Sequence, residues 1–190
     1  IKKGGTSYPL QGGFVGLSYY ESLLSPHLSA TLTFIDTGFG VQQGTLRSSL
    51  PISGKEPVEI TITHPSGILD FDSYYFLVDT VDVAGQDGNK EIINLRLISQ
   101  YEDKNKTVKV EGAYDNNIRN SLSNILTSKL GVPTNRLSLE NTENSLSFKG
   151  TNRTPFEIGL YLAPRSRPAN NGAPGFVFYE TQSGLNFKAL

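Results

Sequence analysis

The sequence predicts an α+β chain that is mainly β: an antiparallel β-barrel over residues 1–112, followed by a smaller α+β module over residues 113–190. Three observations carry that expectation. Apolar side chains recur with a period of two from residue 14 to about residue 112, the spacing that puts alternate side chains of an extended chain on one face. Turn-forming residues punctuate this stretch with no helical period between the strands, which argues for antiparallel pairing rather than βαβ units. After Tyr114 the apolar spacing becomes that of a helix.

The strands follow in order. Leu28, Ala30, Leu32 and Phe34 alternate with Ser29, Thr31 and Thr33, and Asp36-Thr37-Gly38 closes the run with turn chemistry. Val58, Ile60 and Ile62 alternate with Glu59, Thr61 and Thr63 before His64-Pro65-Ser66-Gly67 does the same. Strands over 75–83 and 91–100, joined through Asp87-Gly88, read as a hairpin, because Asp-Gly tolerates the positive φ of a tight connection. A short strand over 107–112 ends the first module, and the module boundary is expected at 112–114.

In the second module Ile118, Leu122, Ile125, Leu126 and Leu130 share one helical face, predicting a helix near 115–130. Asp115 is its expected N-cap, Gly131 sits where a left-handed C-terminal residue belongs, and Pro133 prevents continuation. A second helix near 154–164 is announced by Thr154-Pro155-Phe156-Glu157, a capping-box threonine, a proline at the first helical position and a glutamate three residues after the cap. The loop over 169–175 leads into a terminal hairpin over 176–190 that turns at Thr181-Gln182-Ser183-Gly184. Its first strand puts Phe176, Phe178 and Glu180 on one face and Val177 and Tyr179 on the other.

The chain has 190 residues, enough for one domain and part of a second when domains hold ~100–150 residues. Seventeen Lys and Arg stand against eighteen Asp and Glu, so nothing in the bulk charge drives binding to phosphate backbones or anionic lipid. No apolar run approaches the ~20 residues that span a bilayer, and Ile1-Lys2-Lys3-Gly4-Gly5 lacks a signal-peptide core, so no membrane partner is expected. With no cysteine there is neither a disulfide framework nor a thiolate metal site. Methionine is absent even at position 1 and the chain stops on a hairpin, which reads as a trimmed piece of a longer product whose second module is incomplete.

Chemistry would need converging groups. The two histidines, His27 and His64, have no partners at a ligand spacing, and His64 precedes a proline in a turn, so neither is expected to bind metal. There is no Gly-x-Ser-x-Gly elbow and no histidine in a triad context. Paired carboxylates, Asp70 with Asp72 or Asp36 with Glu180, are the remaining hydrolytic option at ~5–9 Å separations, against the simpler reading of a solvated loop edge. Gly4-Gly5, Gly12-Gly13 and Gly16 open no helix and so form no phosphate loop; they are read as flexibility and close strand packing. Asn105-Lys106-Thr107 and Asn152-Arg153-Thr154 match glycosylation sequons only by chance. Tyr19-Tyr20 and Tyr74-Tyr75 must each place one ring inward and one outward if extended, and the outward rings suit a subunit interface or a sugar-binding face. No catalytic, cofactor or metal residue is assigned, and no cofactor is expected.

The order of segments resembles a known family. Tyr19-Tyr20-Glu21-Ser22-Leu23-Leu24-Ser25-Pro26, an alternating strand ending Phe34-Ile35-Asp36-Thr37-Gly38, and Leu50-Pro51-Ile52-Ser53-Gly54-Lys55-Glu56-Pro57-Val58 resemble the opening of central-hub proteins of contractile bacteriophage baseplates. These are relatives of late-control and type VI spike-hub proteins. Further on, Asn152-Arg153-Thr154-Pro155-Phe156, a helix ending near Arg165-Ser166, and Gly175-Phe176-Val177-Phe178-Tyr179-Glu180-Thr181 with Gly184 and Phe187 follow the same pattern. The resemblance spans about 13–190 and rests on order and spacing, since each motif is short.

It implies a tail-tube-like barrel in a non-catalytic structural virion protein, the central hub of a tail baseplate. Three protomers would form a ring joining the tail tube protein to the spike protein. Baseplate wedge proteins would be further partners, and DNA would pass through the channel without specific binding. The virion tail baseplate would be its location, after assembly in the host cytoplasm. The alternative is a carbohydrate-binding β-sandwich that stacks sugars on Tyr19, Tyr20, Tyr74 or Tyr75. A wall-degrading hydrolase using Asp70, Asp72 or Glu180 is the third reading.

Overall fold

A computed structural model of the chain describes residues 1–3, 5–37, 52, 54–71, 76–87, 90–170, 172 and 174–190. They form two compact units, Ile1–Tyr20 with Ser29–Gln100, and Glu21–Leu28 with Tyr101–Leu190. The fold is mainly β with a smaller helical part, as the periodicities predict.

The first unit opens with β1 (Lys2–Lys3) paired antiparallel to β2 (Thr6–Ser7). It continues through β3 (Phe14–Tyr20), β4 (Ser29–Asp36), β5 (Pro57–Val58), β6 (Thr61–His64), β7 (Gly67–Asp70), β8 (Phe76–Asp87) and β9 (Lys90–Ser99). Five of these make an antiparallel sheet in the order β3-β4-β9-β8-β5, curled into a half-barrel. Two register slips in β8, at Val78/Thr80 and Val83/Gly85, supply extra local twist and so promote the curl. On the concave face Ala30, Leu32 and Phe34 lie opposite Leu97, Leu95 and Ile93, and none is more than 6% exposed. Burying each of the larger side chains contributes about 1.5–3 kcal/mol.

One expectation needs correction here. Val58, Ile60 and Ile62 do not form one strand: β5 pairs with β8, whereas β6 pairs with β7 in a separate hairpin. Only Val58 reaches the core, and Ile62 is 38% exposed. Between the two strands the Ile60 carbonyl accepts the Phe71 N–H (3.0 Å), which takes the chain off the main sheet. Period two says which residues share a face and says nothing about whether one neighbour serves the whole run.

The second unit contains α1 (Gln100–Thr107, all but its first residue), β10 (Ala113–Asn117), α2 (Ile118–Leu130), β11 (Leu137–Leu139), β12 (Ser145–Lys149), α3 (Pro155–Leu162), β13 (Phe176–Thr181) and β14 (Gly184–Ala189). The expected strand over 107–112 does not form: α1 ends at Thr107, and only an isolated Val110–Arg153 bridge follows before β10. The helix is polar, and it is held by Tyr101, buried, and by Asn105, whose Oδ1 accepts the Phe156 N–H (2.9 Å). The second unit takes the chain from Tyr101, the second residue of α1, together with Glu21–Leu28.

α2 buries the five apolar residues that its spacing singled out, none more than 2% exposed. It ends at Gly131 with φ 69°, where the N–H donates to the Thr127 carbonyl (3.0 Å). Its N-cap position is Asn117, not Asp115, because the chain is still extended at Asp115, in β10 against β12, where the carboxylate accepts from the Ser147 hydroxyl. α3 carries the expected capping box, and Gly159 lets the helix approach the Phe178 ring. The terminal hairpin turns as predicted, with β11 added parallel to β14, and Phe176, Phe178 and Glu180 form its buried face.

Candidate functional site

Of the carboxylates that sequence put forward for hydrolysis, Asp36 and Glu180 are both buried. Glu180 in β13 is completely buried. Its Oε2 accepts the Leu28 N–H (2.7 Å), and its Oε1 is buried with no hydrogen-bond partner. Burial pushes its pKa well above the usual carboxylate range, and the Leu28 hydrogen bond opposes this only in part. Such a group is sealed from substrate, and its burial favours the protonated form. Asp36, in β4, is 5% exposed. Asp70, in β7, accepts from the Thr61 hydroxyl (3.3 Å) across the β6–β7 hairpin, and Asp72 lies outside the described residues.

His27 Nδ1 stands 4.0 Å from a Glu102 carboxylate oxygen, and the backbone of His64 ends β6. Among the described residues no group of three His, Cys, Asp or Glu side chains is placed to hold a metal ion. Gly13 has the packing role foreseen for it, since a Cβ there would lie 2.1 Å from the Ile35 carbonyl oxygen. Gly4 is outside the described residues. Asn105 is buried and committed to α3, which removes it as a glycan acceptor.

The aromatic pair Tyr19-Tyr20 divides as alternation requires. Tyr19 packs on Phe71 (5.3 Å between ring centroids) and Phe76 (6.4 Å), whereas Tyr20 is exposed. Tyr19 is therefore withdrawn from any sugar-stacking role, and Tyr74 and Tyr75 lie outside the described residues.

Surfaces, rather than a catalytic pocket, carry what this structure can do. Strand β3 pairs only with β4 among the described strands, and its Phe14, Val15 and Tyr20 are each more than half exposed. A strand with unpaired backbone groups and apolar side chains is a template for another chain. Beside it lies an open cleft of about 530 Å³ lined by Tyr8, Leu10, Phe14, Leu17, Ile60 and Ile62 among others. On the convex face Ile35 and Ile92 sit opposite each other across β4 and β9, 37% and 41% exposed.

The second unit presents a different surface. The guanidinium carbons of Arg153 and Arg165 lie 4.6 Å and 3.9 Å from the ring centroid of Tyr161. Phe148 is 6.3 Å from the same ring and stacks on Tyr114 (5.2 Å, 15° between planes). Sequence reasoning missed this group. The i, i+4 spacing of Tyr161 and Arg165 was a signal for half of it. Arg153 precedes α3 and carried no such mark.

No protein-family model and no curated protein matches the sequence. Solved structures match over nearly the whole chain. The 43 kDa tail protein of prophage MuSo2 from Shewanella oneidensis aligns with a TM-score of 0.61 at 14% identity, covering 98% of this chain and 53% of that one. The c3393 protein of E. coli is a component of the type VI secretion system with structural similarity to T4 bacteriophage tail proteins gp27 and gp5. It aligns at 0.60 and 9% identity, covering 92% and 45%. A tail protein from Neisseria meningitidis MC58 aligns at 0.51 and 9% identity, covering 97% and 48%. The chain spans about half the length of each of these proteins. At such identities the likeness defines a fold, one that this chain shares with proteins of phage tails and of a type VI secretion system.

Proposed function

We propose that this chain is a structural component of a phage tail, the central hub of a contractile baseplate. In this reading it closes into a trimeric ring that adapts the tail tube to the spike, contacts the wedge proteins and lets DNA pass without specific binding. It acts within the virion and catalyses nothing. The observation that carries the reading is the apolar, exposed β3, an edge strand among the described residues, on a fold shared with tail proteins: a barrel-like unit with such an edge is a building block for a closed ring. The sealed Glu180, whose burial favours the protonated form, fits a structural role better than a hydrolytic one. The carbohydrate-binding alternative retains a single described ring, Tyr20, once Tyr19 is packed inside.

Size-exclusion chromatography with light scattering tests self-assembly. The expected outcome is a species near three times the chain mass of 20.7 kDa, lost when Val15→Lys places a charge on the β3 edge. A monomer at every concentration, with no change on Val15→Lys, refutes assembly through this edge.

A further inference from the structure

We propose that Arg153, Tyr161 and Arg165 form a binding site on the second unit for a carboxylate-bearing segment of a partner protein. The inference goes beyond the hub reading and stands whether or not the chain forms a ring.

Two guanidinium groups converge on one ring, Arg165 at 3.9 Å and Arg153 at 4.6 Å from its centroid, and both arginines are exposed. Among the described residues neither is ion-paired with a carboxylate. The nearby acid Glu157 is already engaged, accepting the Thr154 N–H in the capping box. The ring attracts each cation, but the two cations repel each other, and the one carboxylate that acts on Arg153, Glu157, is held by the Thr154 N–H. An incoming anion would neutralise the pair further.

Both arginines are pre-positioned. Arg165 Nη1 donates to the Tyr161 carbonyl (2.8 Å), which fixes one end of its fork and leaves other N–H groups free. Arg153 is fixed through its backbone: its N–H donates to the Gly150 carbonyl (3.2 Å) and its carbonyl accepts the Val110 N–H (2.8 Å). The turn that delivers it holds Thr151 at φ 49° and Asn152 at φ 61°, and a β-branched residue in the left-handed region is strained. Gly150 is required there, since a Cβ would lie 2.3 Å from the Val110 carbonyl oxygen. Strain kept in the turn that aims a charged side chain is consistent with a binding role for that side chain.

The planar fork of arginine matches the oxygens of a carboxylate or a phosphate. The geometry separates the two sources. A single-stranded nucleic acid binds by stacking bases on free ring faces along a basic track. Here Tyr161 already receives the guanidinium groups, and the near-parallel Tyr114 and Phe148 rings cover each other. A carboxylate side chain needs only the two forks. Arginine and tyrosine are also the residue types that dominate protein interfaces.

Fluorescence anisotropy with the full chain and fluorescein-labelled hexaglutamate at low salt tests the site, with a labelled oligothymidylate of equal charge in parallel. Hexaglutamate is expected to bind, and Arg153→Gln or Arg165→Gln to weaken it ~10-fold, one charge-assisted contact being lost. Lys90→Gln, which removes the same charge from an exposed position on β9, is expected to change binding less than ~2-fold. In ¹⁵N spectra the side-chain Nε–H signals of Arg153 and Arg165 should shift on titration. Absence of binding, equal losses for Lys90→Gln and the arginine variants, or tighter Arg153- and Arg165-dependent binding of oligothymidylate would each overturn the proposal.

Discussion

Replacing Glu180 by Gln changes how stability depends on pH, and the sign follows from burial. In the folded chain the carboxyl has a pKa well above the 4.5 of a free glutamate, chiefly because burial penalises its charged form. Above pH 4.5 the unfolded chain releases this proton while the folded chain keeps it. The contribution is therefore complete below the unfolded pKa and is lost as pH rises toward the folded one, at about 1.4 kcal/mol per pH unit. Gln keeps the acceptor for the Leu28 N–H and never ionises. Its amide places a donor where Oε1 now has no partner, at a cost of ~1–3 kcal/mol, but the protonated carboxyl carries a similar unmet donor. At acid pH the two proteins are thus expected to be of similar stability, and Glu180→Gln should gain as pH rises from the unfolded pKa toward the raised folded one. Urea unfolding followed by far-UV circular dichroism at each pH measures the difference, in which titrations common to both proteins cancel. Parallel stability curves for the two proteins would refute the reasoning.

Two further substitutions follow from the packing of α3. Gly159→Ala would place a Cβ 2.6–2.8 Å from three atoms of the Phe178 ring, which is 2% exposed and already edge-on to Phe156. The ~1 kcal/mol gain in helix propensity is outweighed by overpacking of ~1–3 kcal/mol, so a net loss in a urea titration is expected. Thr154→Ala removes the acceptor of the Glu157 N–H (3.3 Å) and should cost ~1 kcal/mol in the same assay. The Glu157 pKa is lowered, first by the N–H of Thr154. Glu157 therefore adds stability above its unfolded pKa that is lost as pH falls, and Glu157→Gln should flatten that acidic limb of the stability profile.

What sequence disclosed was mostly local chemistry. The capping box at Thr154 and Glu157, the glycine stop of α2 and the alternation that buries Phe176, Phe178 and Glu180 each depend on residues a few positions apart. What it concealed depends on distant partners. The polar α1 has little amphipathic pattern of its own and is secured by Asn105 holding a backbone N–H 51 residues away. The face of Glu180 was readable from alternation, but its raised pKa rests on complete burial, which the single hydrogen bond from Leu28 only partly opposes. The Arg153–Tyr161–Arg165 group combines a helical spacing with a residue delivered by a left-handed turn, and no single period covers both.

The bond from Leu28 to Glu180 closes a circuit of 152 residues. The second unit is discontinuous, assembled from Glu21–Leu28 and Tyr101–Leu190, with most of the first unit's chain between them. A gene fragment encoding 101–190 alone would therefore be an incomplete cassette, lacking a length of its own structure and leaving the buried acid without its N–H donor. During synthesis the order is equally constrained: residues 21–28 leave the ribosome well before β13, and the Leu28–Glu180 contact has to await the 152 residues that follow Leu28.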